Sequence, residues 1–123
     1  MLYTTFIRLC DEASKHDDCQ EFIMTLGWQS WMKESNVAGV VDDLALIFDL
    51  VNLDFTGLRK RTGVSMRKFS QLYRIPLRTI ESWESNAQSS RNASPYVTDL
   101  IRYAVFTKEN EGDDGFIDLI EQD

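Results

Sequence analysis

Apolar residues recur at spacings of three and four along most of this chain, and no segment alternates regularly between apolar and polar residues. The first spacing places side chains on one face of an α-helix, whereas alternation is typical of a half-buried strand. The pattern therefore predicts an all-α protein.

The N-terminal half carries several such stripes. One predicted helix, capped by Thr4 or Thr5, uses Phe6, Ile7, Leu9, Cys10 and Ala13. The pattern continues through Phe22 to Gly27, a natural helix stop, and a short helix is expected around Trp28 and Trp31. A longer amphipathic helix begins after Asn36 and extends to Val51.

Boundary signals are dense after residue 52. Asp54 and Ser65 are suited to cap two successive short helices, and Gly63 to end the first of them. Pro76 suits the first turn of a third helix, where its missing N–H costs nothing. Asn86 is expected to stop that helix, and Ser94 followed by Pro95 to begin a fourth. Three short helices and then a fourth form a helix-turn-helix layout.

Charge divides the chain into three parts. Residues 1–52 carry three basic and nine acidic side chains, residues 53–107 nine and four, and residues 108–123 one and seven. The net charge of -7 thus hides a basic block between an acidic helical segment and an acidic tail. The local electrostatic field, rather than the total charge, steers a ligand to a surface. The central block is therefore still compatible with a nucleic-acid partner. No linker-like sequence precedes residue 53, so a core shared with the first segment stays open as well.

Other function classes find little support. Cys10, His16 and Cys19 match no familiar zinc spacing and lack a fourth ligand, so we expect no metal or cofactor and two reduced cysteines. No nucleophile motif or phosphate loop suggests an enzyme. No apolar run is long enough for a membrane helix, and Met1 to Cys10 do not form a signal peptide, so a cytoplasmic location is expected.

The stretch VSMRKFSQLYRIPLRTIESWESN, residues 64–86, resembles the XRE or Cro-like helix-turn-helix family of phage and bacterial repressors. The resemblance extends over about residues 53–107, and it implies a repressor-like helix-turn-helix bundle preceded by the acidic N-terminal helical segment. It also implies a sequence-specific transcriptional repressor or autoregulator whose second motif helix enters the major groove of double-stranded DNA. Because one such module makes few contacts, we expect a homodimer, joined through the N-terminal helices or the C-terminal tail.

The resemblance also assigns residues to DNA. Base edges are expected to meet Leu77, Arg78, Thr79 and Ser82. Phosphates are expected to meet Arg67, Lys68, Arg74, Gln88, Ser90 and Arg91. Arg78 is the strongest candidate for base contact, because a guanidinium bridges O6 and N7 of guanine with two hydrogen bonds. Arg74 stands where the family usually has glycine, which asks a non-glycine residue to adopt or avoid a positive φ.

An alternative keeps the helix-turn-helix as a scaffold and places the function on the acidic segments. Trp28 and Trp31 fit a protein core, yet two tryptophans in an acidic segment also suit a protein-binding surface. An anti-CRISPR protein of phage type, which would block a CRISPR nuclease by mimicking the charge of nucleic acid, is one concrete form of this alternative.

Overall fold

The computed structural model describes residues 1–85 and 92–111. Within them the chain forms seven α-helices, one short 3-10 helix at Glu34–Asn36 and no strand, which confirms the all-α prediction. The helices are α1 Tyr3–Ala13, α2 Cys19–Leu26, α3 Val37–Val51, α4 Phe55–Thr62, α5 Met66–Tyr73, α6 Leu77–Glu84 and α7 Pro95–Glu111. The chain divides into two compact units, Met1–Asn52 and Leu53–Asp123. None of the described helices is long and apolar enough to cross a membrane.

The first unit is built on α3. Both α1 and α2 pack against α3 and against each other, because each helix has an apolar face to bury. The buried side chains are Phe6, Leu9, Cys10, Ala13, Phe22, Met32, Val40, Leu44, Ile47 and Leu50. Asn36 caps α3 by accepting a hydrogen bond from the Gly39 N–H at 3.1 Å.

Several expectations for this unit were wrong. Helix α1 begins at Tyr3 without a side-chain cap, so Thr4 and Thr5 lie inside it. The predicted short helix at Trp28 is absent from this described stretch, where the positive φ of Gly27 turns the chain before the 3-10 helix. Trp28 is 53% exposed, so it does not belong to the core.

The second unit is built around α4. It packs against α6 and α7, and α5 packs against α6. The predicted helix caps and helix end are confirmed. Asp54 accepts a hydrogen bond from the Gly57 N–H at 2.8 Å, and Ser65 accepts one from the Lys68 N–H at 3.2 Å. Gly63 ends α4 with a φ of 75°. These stops and caps force the chain to reverse between short helices instead of forming one long helix.

Two boundaries differ from expectation. Pro76 lies at the N-cap of α6 rather than in its first turn, with an extended ψ of 136°. Helix α7 begins at Pro95 as predicted but continues to Glu111, beyond the expected limit at residue 107. The predicted stop at Asn86 and the rest of the acidic tail lie outside the described residues.

Candidate nucleic-acid interface

Helices α5 and α6 are joined by a tight connection, residues 74–76. Each helix has eight residues. The backbone N–H of Ile75 donates to the Ser70 carbonyl at 3.1 Å, and the Ser70 hydroxyl donates to the Ile75 carbonyl. A small side chain at position 70 therefore reaches across the corner and fixes the direction in which α6 leaves α5.

Arg74 adopts the left-handed conformation, with φ 54° and ψ 43°, and is the non-glycine residue with positive φ in the described chain. Its N–H donates to the Ser70 carbonyl, which ends α5 in the way glycine usually does. A side chain in this region costs roughly 1–2 kcal/mol because Cβ crowds the following carbonyl. Arginine at this corner therefore makes the fold less stable than glycine would.

We expect Arg74→Gly to be about 1 kcal/mol more stable than Arg74→Ala, because only glycine escapes the crowding of Cβ in the left-handed region. Both substitutions remove the same charge and the same long side chain, so each is the control for the other. Chemical denaturation followed by circular dichroism measures the difference. Equal stability of the two variants would contradict the conformation of this corner.

The inner side of α6 is held by aromatic packing. Ile80 is fully buried, and the Trp83 ring meets the Phe55 ring edge to face, with centroids 5.1 Å apart. Phe55 in turn meets Phe69 of α5 edge to face at 5.5 Å. Such pairs contribute about 0.5–1.5 kcal/mol beyond the area they bury. The cluster joins α4, α5 and α6 and so decides which side of α6 points inward.

An ion pair holds the end of α6. The Arg59 guanidinium of α4 donates to both carboxylate oxygens of Glu84, at 2.6 and 2.9 Å, and also to the Val64 carbonyl at 3.1 Å. The two side chains are only 12% and 7% exposed. The hydrogen bonds to Glu84 and the negative charge of its carboxylate raise the pKa of Arg59 above its usual value, against the opposing effect of burial. Glu84 therefore ties the C-terminal end of α6 to α4.

With its inner side fixed, α6 presents Arg78 and Ser82 on the opposite side, one helical turn apart. Arg78 is exposed and Ser82 is half-buried. Leu77 and Thr79, the other two residues assigned to base edges, are also half-buried and flank this face. The structure thus brings the four candidates onto one short helix, with Arg78 the most accessible.

Three of the six candidates for phosphate contact are described, and all three are exposed: Arg67, Lys68 and Arg74. Gln88, Ser90 and Arg91 lie outside the described residues. Arg67 and Lys68 occupy the first turn of α5, where the helix dipole disfavours positive charge. A bound anion would convert that unfavourable placement into a favourable one.

The basic block contains two kinds of cation. Arg59, Arg61 and Arg102 form ion pairs with Glu84, Glu109 and Asp99. By contrast, five exposed cations have no side-chain hydrogen bond or ion pair within the part of the chain that the structure describes: Lys60, Arg67, Lys68, Arg74 and Arg78. Four of these five belong to α5, α6 and their connection, so the uncompensated positive charge is concentrated there.

Known proteins give no match to this chain. No protein-family model, no curated protein and no solved structure matches it. A function for this chain is therefore inferred from the geometry of the described residues.

Two features of this part of the fold were not predicted from the sequence. The Arg59–Glu84 pair joins residues 25 apart, so no local pattern identifies it. The exposed Lys60 was not assigned to phosphate, although it lies next to Arg59 in the basic run of α4. Within the described residues, no group of three His, Cys, Asp or Glu side chains is arranged to hold a metal ion.

Proposed function

We propose that this chain is a sequence-specific DNA-binding transcriptional regulator, a repressor or autoregulator, which inserts α6 into the major groove of double-stranded DNA. The observation that carries the proposal is the two-sided character of α6. Its inner side is fixed by Ile80, Trp83 and the Glu84 ion pair, while its outer side presents Arg78 without a protein partner among the described residues. A rigid helix with an unoccupied guanidinium is suited to read base edges.

In this function Arg78 contacts guanine. The major groove displays O6 and N7 of guanine side by side, and a guanidinium donates to both at once. Ser82, one turn further along α6, accepts or donates and so tolerates more than one base. Leu77 and Thr79 flank them and offer apolar contact to a thymine methyl group.

Arg67, Lys68 and Arg74 set the position of α6 by contacting phosphates. Arg67 and Lys68 lie on α5, and Arg74 lies at the corner before α6. None of the three forms an ion pair with an acidic side chain in the described chain. Phosphate contacts orient a protein on the duplex without reading sequence. The left-handed conformation of Arg74 fits this role. A side chain at this position destabilises the fold, whereas its positive charge favours binding to phosphates.

Regulation follows from site-specific binding, because a protein bound at a promoter blocks other proteins from the same DNA. The proposal includes a homodimer on a palindromic site, a cytoplasmic location and no enzymatic activity. A dimer is favoured because one eight-residue reading helix covers only a few base pairs, which is too few to define a site in a genome.

Selection from a pool of random DNA duplexes tests the proposal. We expect enrichment of one guanine-containing motif at moderate salt. With Arg91, the described Arg67, Lys68 and Arg74 give four phosphate-neutralising cations per chain. Log affinity is therefore expected to fall with log salt at a slope of roughly -3 to -4 for one bound chain, and about twice that for a homodimer. Enrichment of no motif, with or without a salt-dependent background, would contradict sequence-specific regulation and leave a protein-binding function to be tested.

A further inference from the structure

The C-terminal end of α7 lies beside the basic last turn of α4. The Glu109 carboxylate, two residues before the end of α7, accepts hydrogen bonds from the Arg61 guanidinium at 2.7 and 3.0 Å. Arg61 follows Lys60 on α4. Lys60 is exposed and has no side-chain hydrogen bond or ion pair within the described residues. The Arg61 ion pair therefore fixes the point from which the chain continues after α7.

Two more cations lie within a short length of chain from this point. Arg67 and Lys68 are exposed, and neither side chain has a hydrogen bond or ion pair in the part of the chain that the structure describes. Lys68 is seven residues from Arg61, so their Cα atoms are at most about 25 Å apart. We call Lys60, Arg67 and Lys68 the α4–α5 cations. Three positive charges that no acidic neighbour compensates in the described chain attract an anionic partner.

The residues that follow α7 carry negative charge alone. Positions 112–123, which we call the 112–123 segment, contain no basic side chain and five acidic ones: Asp113, Asp114, Asp118, Glu121 and Asp123. Twelve residues extend over at most about 40 Å. The segment is therefore long enough to reach the α4–α5 cations from the end of α7.

We infer that the 112–123 segment binds the α4–α5 cations of its own chain and competes with nucleic acid for them. The competition rests on the proposed function, whereas the contact itself does not. Carboxylates form charge-assisted hydrogen bonds with Lys and Arg as phosphates do. A segment attached close to its binding site is present there at an effective concentration on the order of a millimolar, which favours it over a separate acidic partner.

The contact is expected to be weak and sensitive to salt, because exposed ion pairs are individually weak and are screened by dissolved ions. A duplex displaces the segment by offering more phosphates. The segment competes for phosphate contacts and not for the base contact proposed for Arg78. It should therefore lower the affinity for all duplexes by the same factor and leave the preference among them unchanged.

Zero-length cross-linking of the full chain without DNA tests the contact. A carbodiimide joins a lysine amine directly to a carboxylate with loss of water, and mass spectrometry identifies the joined residues. We expect Lys60 and Lys68 to be joined to acids of the 112–123 segment, and these products to disappear at about 1 M salt. The control is Lys33, which is exposed and has no ion pair in the described chain but lies in the first unit. The positive control is Lys15, whose amine lies 3.1 Å from the Glu12 carboxylate.

DNA affinity tests the competition. The combined variant Asp113→Asn, Asp114→Asn and Asp118→Asn is expected to bind the selected and the scrambled duplex each about three- to tenfold more tightly at low salt, as the loss of a tethered competitor implies. The ratio of the two affinities should not change. Fluorescence anisotropy measures both affinities.

The matched control removes three negative charges from the first unit. It combines Asp11→Asn, Asp17→Asn and Asp42→Asn, and all three side chains are exposed. Both variants have the same net charge, so a gain in affinity confined to the first variant comes from the position of the charges. The control should bind both duplexes like the unchanged chain.

The outcomes separate the contact from the competition and from the proposed function. Absence of cross-links to Lys60 and Lys68 while Lys15 is joined, or equal yields at Lys33, would overturn the contact. Cross-links found only between two copies would overturn the contact within one chain. Intrachain cross-links with equal affinities of the two Asn variants would retain the contact and reject the competition. Enrichment of no duplex would reject the proposed function, whereas the cross-links would still confirm or overturn the contact.

Discussion

Replacement of Glu84 by alanine is expected to lower the free energy of unfolding by about 3 kcal/mol, because it leaves the Arg59 guanidinium nearly buried without its partner. The Arg59 side chain is only 12% exposed, so water cannot take over both lost hydrogen bonds. A domain of this size has a total stability of roughly 5–15 kcal/mol. The loss is therefore a large part of what holds α6 to α4. Denaturant titration followed by circular dichroism measures it.

Glu81→Ala is the matched control for this experiment. Glu81 lies on the same helix and carries the same charge, but it is exposed and has no ion pair within the described residues. Substitutions at such sites usually change stability by less than about 0.5 kcal/mol. Equal destabilisation by the two substitutions would show that the loss comes from the charge of α6 as a whole and not from the Arg59 contact.

Arg78→Ala is expected to reduce the preference for the selected DNA site over a scrambled site by about 5- to 150-fold per half-site, the effect of losing one bidentate contact worth roughly 1–3 kcal/mol. The fold should be unaffected, since Arg78 is exposed and its side chain has no hydrogen bond or ion pair in the described chain. Fluorescence anisotropy with the two duplexes measures the ratio of the affinities.

The control is Arg8→Ala, which removes one positive charge from an exposed position on α1 in the other unit. It should lower neither the affinity nor the preference. If Arg78→Ala weakens binding to both duplexes equally, Arg78 contacts phosphate and another residue reads the bases. If it weakens binding to neither, the outer face of α6 is not the interface.

Local sequence signals were sufficient to predict most helix boundaries of the second unit. Asp54, Gly63, Ser65 and the Ser94–Pro95 pair act through hydrogen bonds and φ preferences that reach only a few residues along the chain. Their positions in the sequence therefore predict where helices begin and end. The buried residues Phe69 and Ile80 follow from helical spacing in the same way.

Features that depend on long-range packing could not be predicted. Trp28 is a large apolar residue of the kind found in protein cores. Gly27 turns the chain just before it, however, and the Trp28 ring remains exposed. The basic block looked uniform in sequence, whereas Arg61 pairs with Glu109, 48 residues away. Counting charges along a sequence cannot distinguish cations that hold helices together from those left available to a ligand.

For the candidate site, the sequence predicted which short helix carries the candidate base-reading residues but not the contacts that orient that helix. Arg78 and Ser82 were assigned through resemblance, and their common face follows from a spacing of four. The aromatic contacts of Phe55 and the Glu84 ion pair, which orient that face, join three helices and emerge only from the fold. Arg74 was recognised as an unusual corner residue, although the sequence did not decide its φ.

The most direct measurement of the central claim combines two small changes at one contact. In the selected duplex, the guanine assigned to Arg78 is replaced by 7-deazaguanine, which lacks the N7 acceptor, and affinity is measured for the unchanged chain and for Arg78→Ala. We predict that the base change weakens binding of the unchanged chain by about tenfold or more, the value of a lost hydrogen bond to a charged group. It should leave binding of Arg78→Ala unaltered. Equal losses for both proteins at every guanine of the site would contradict base reading by α6.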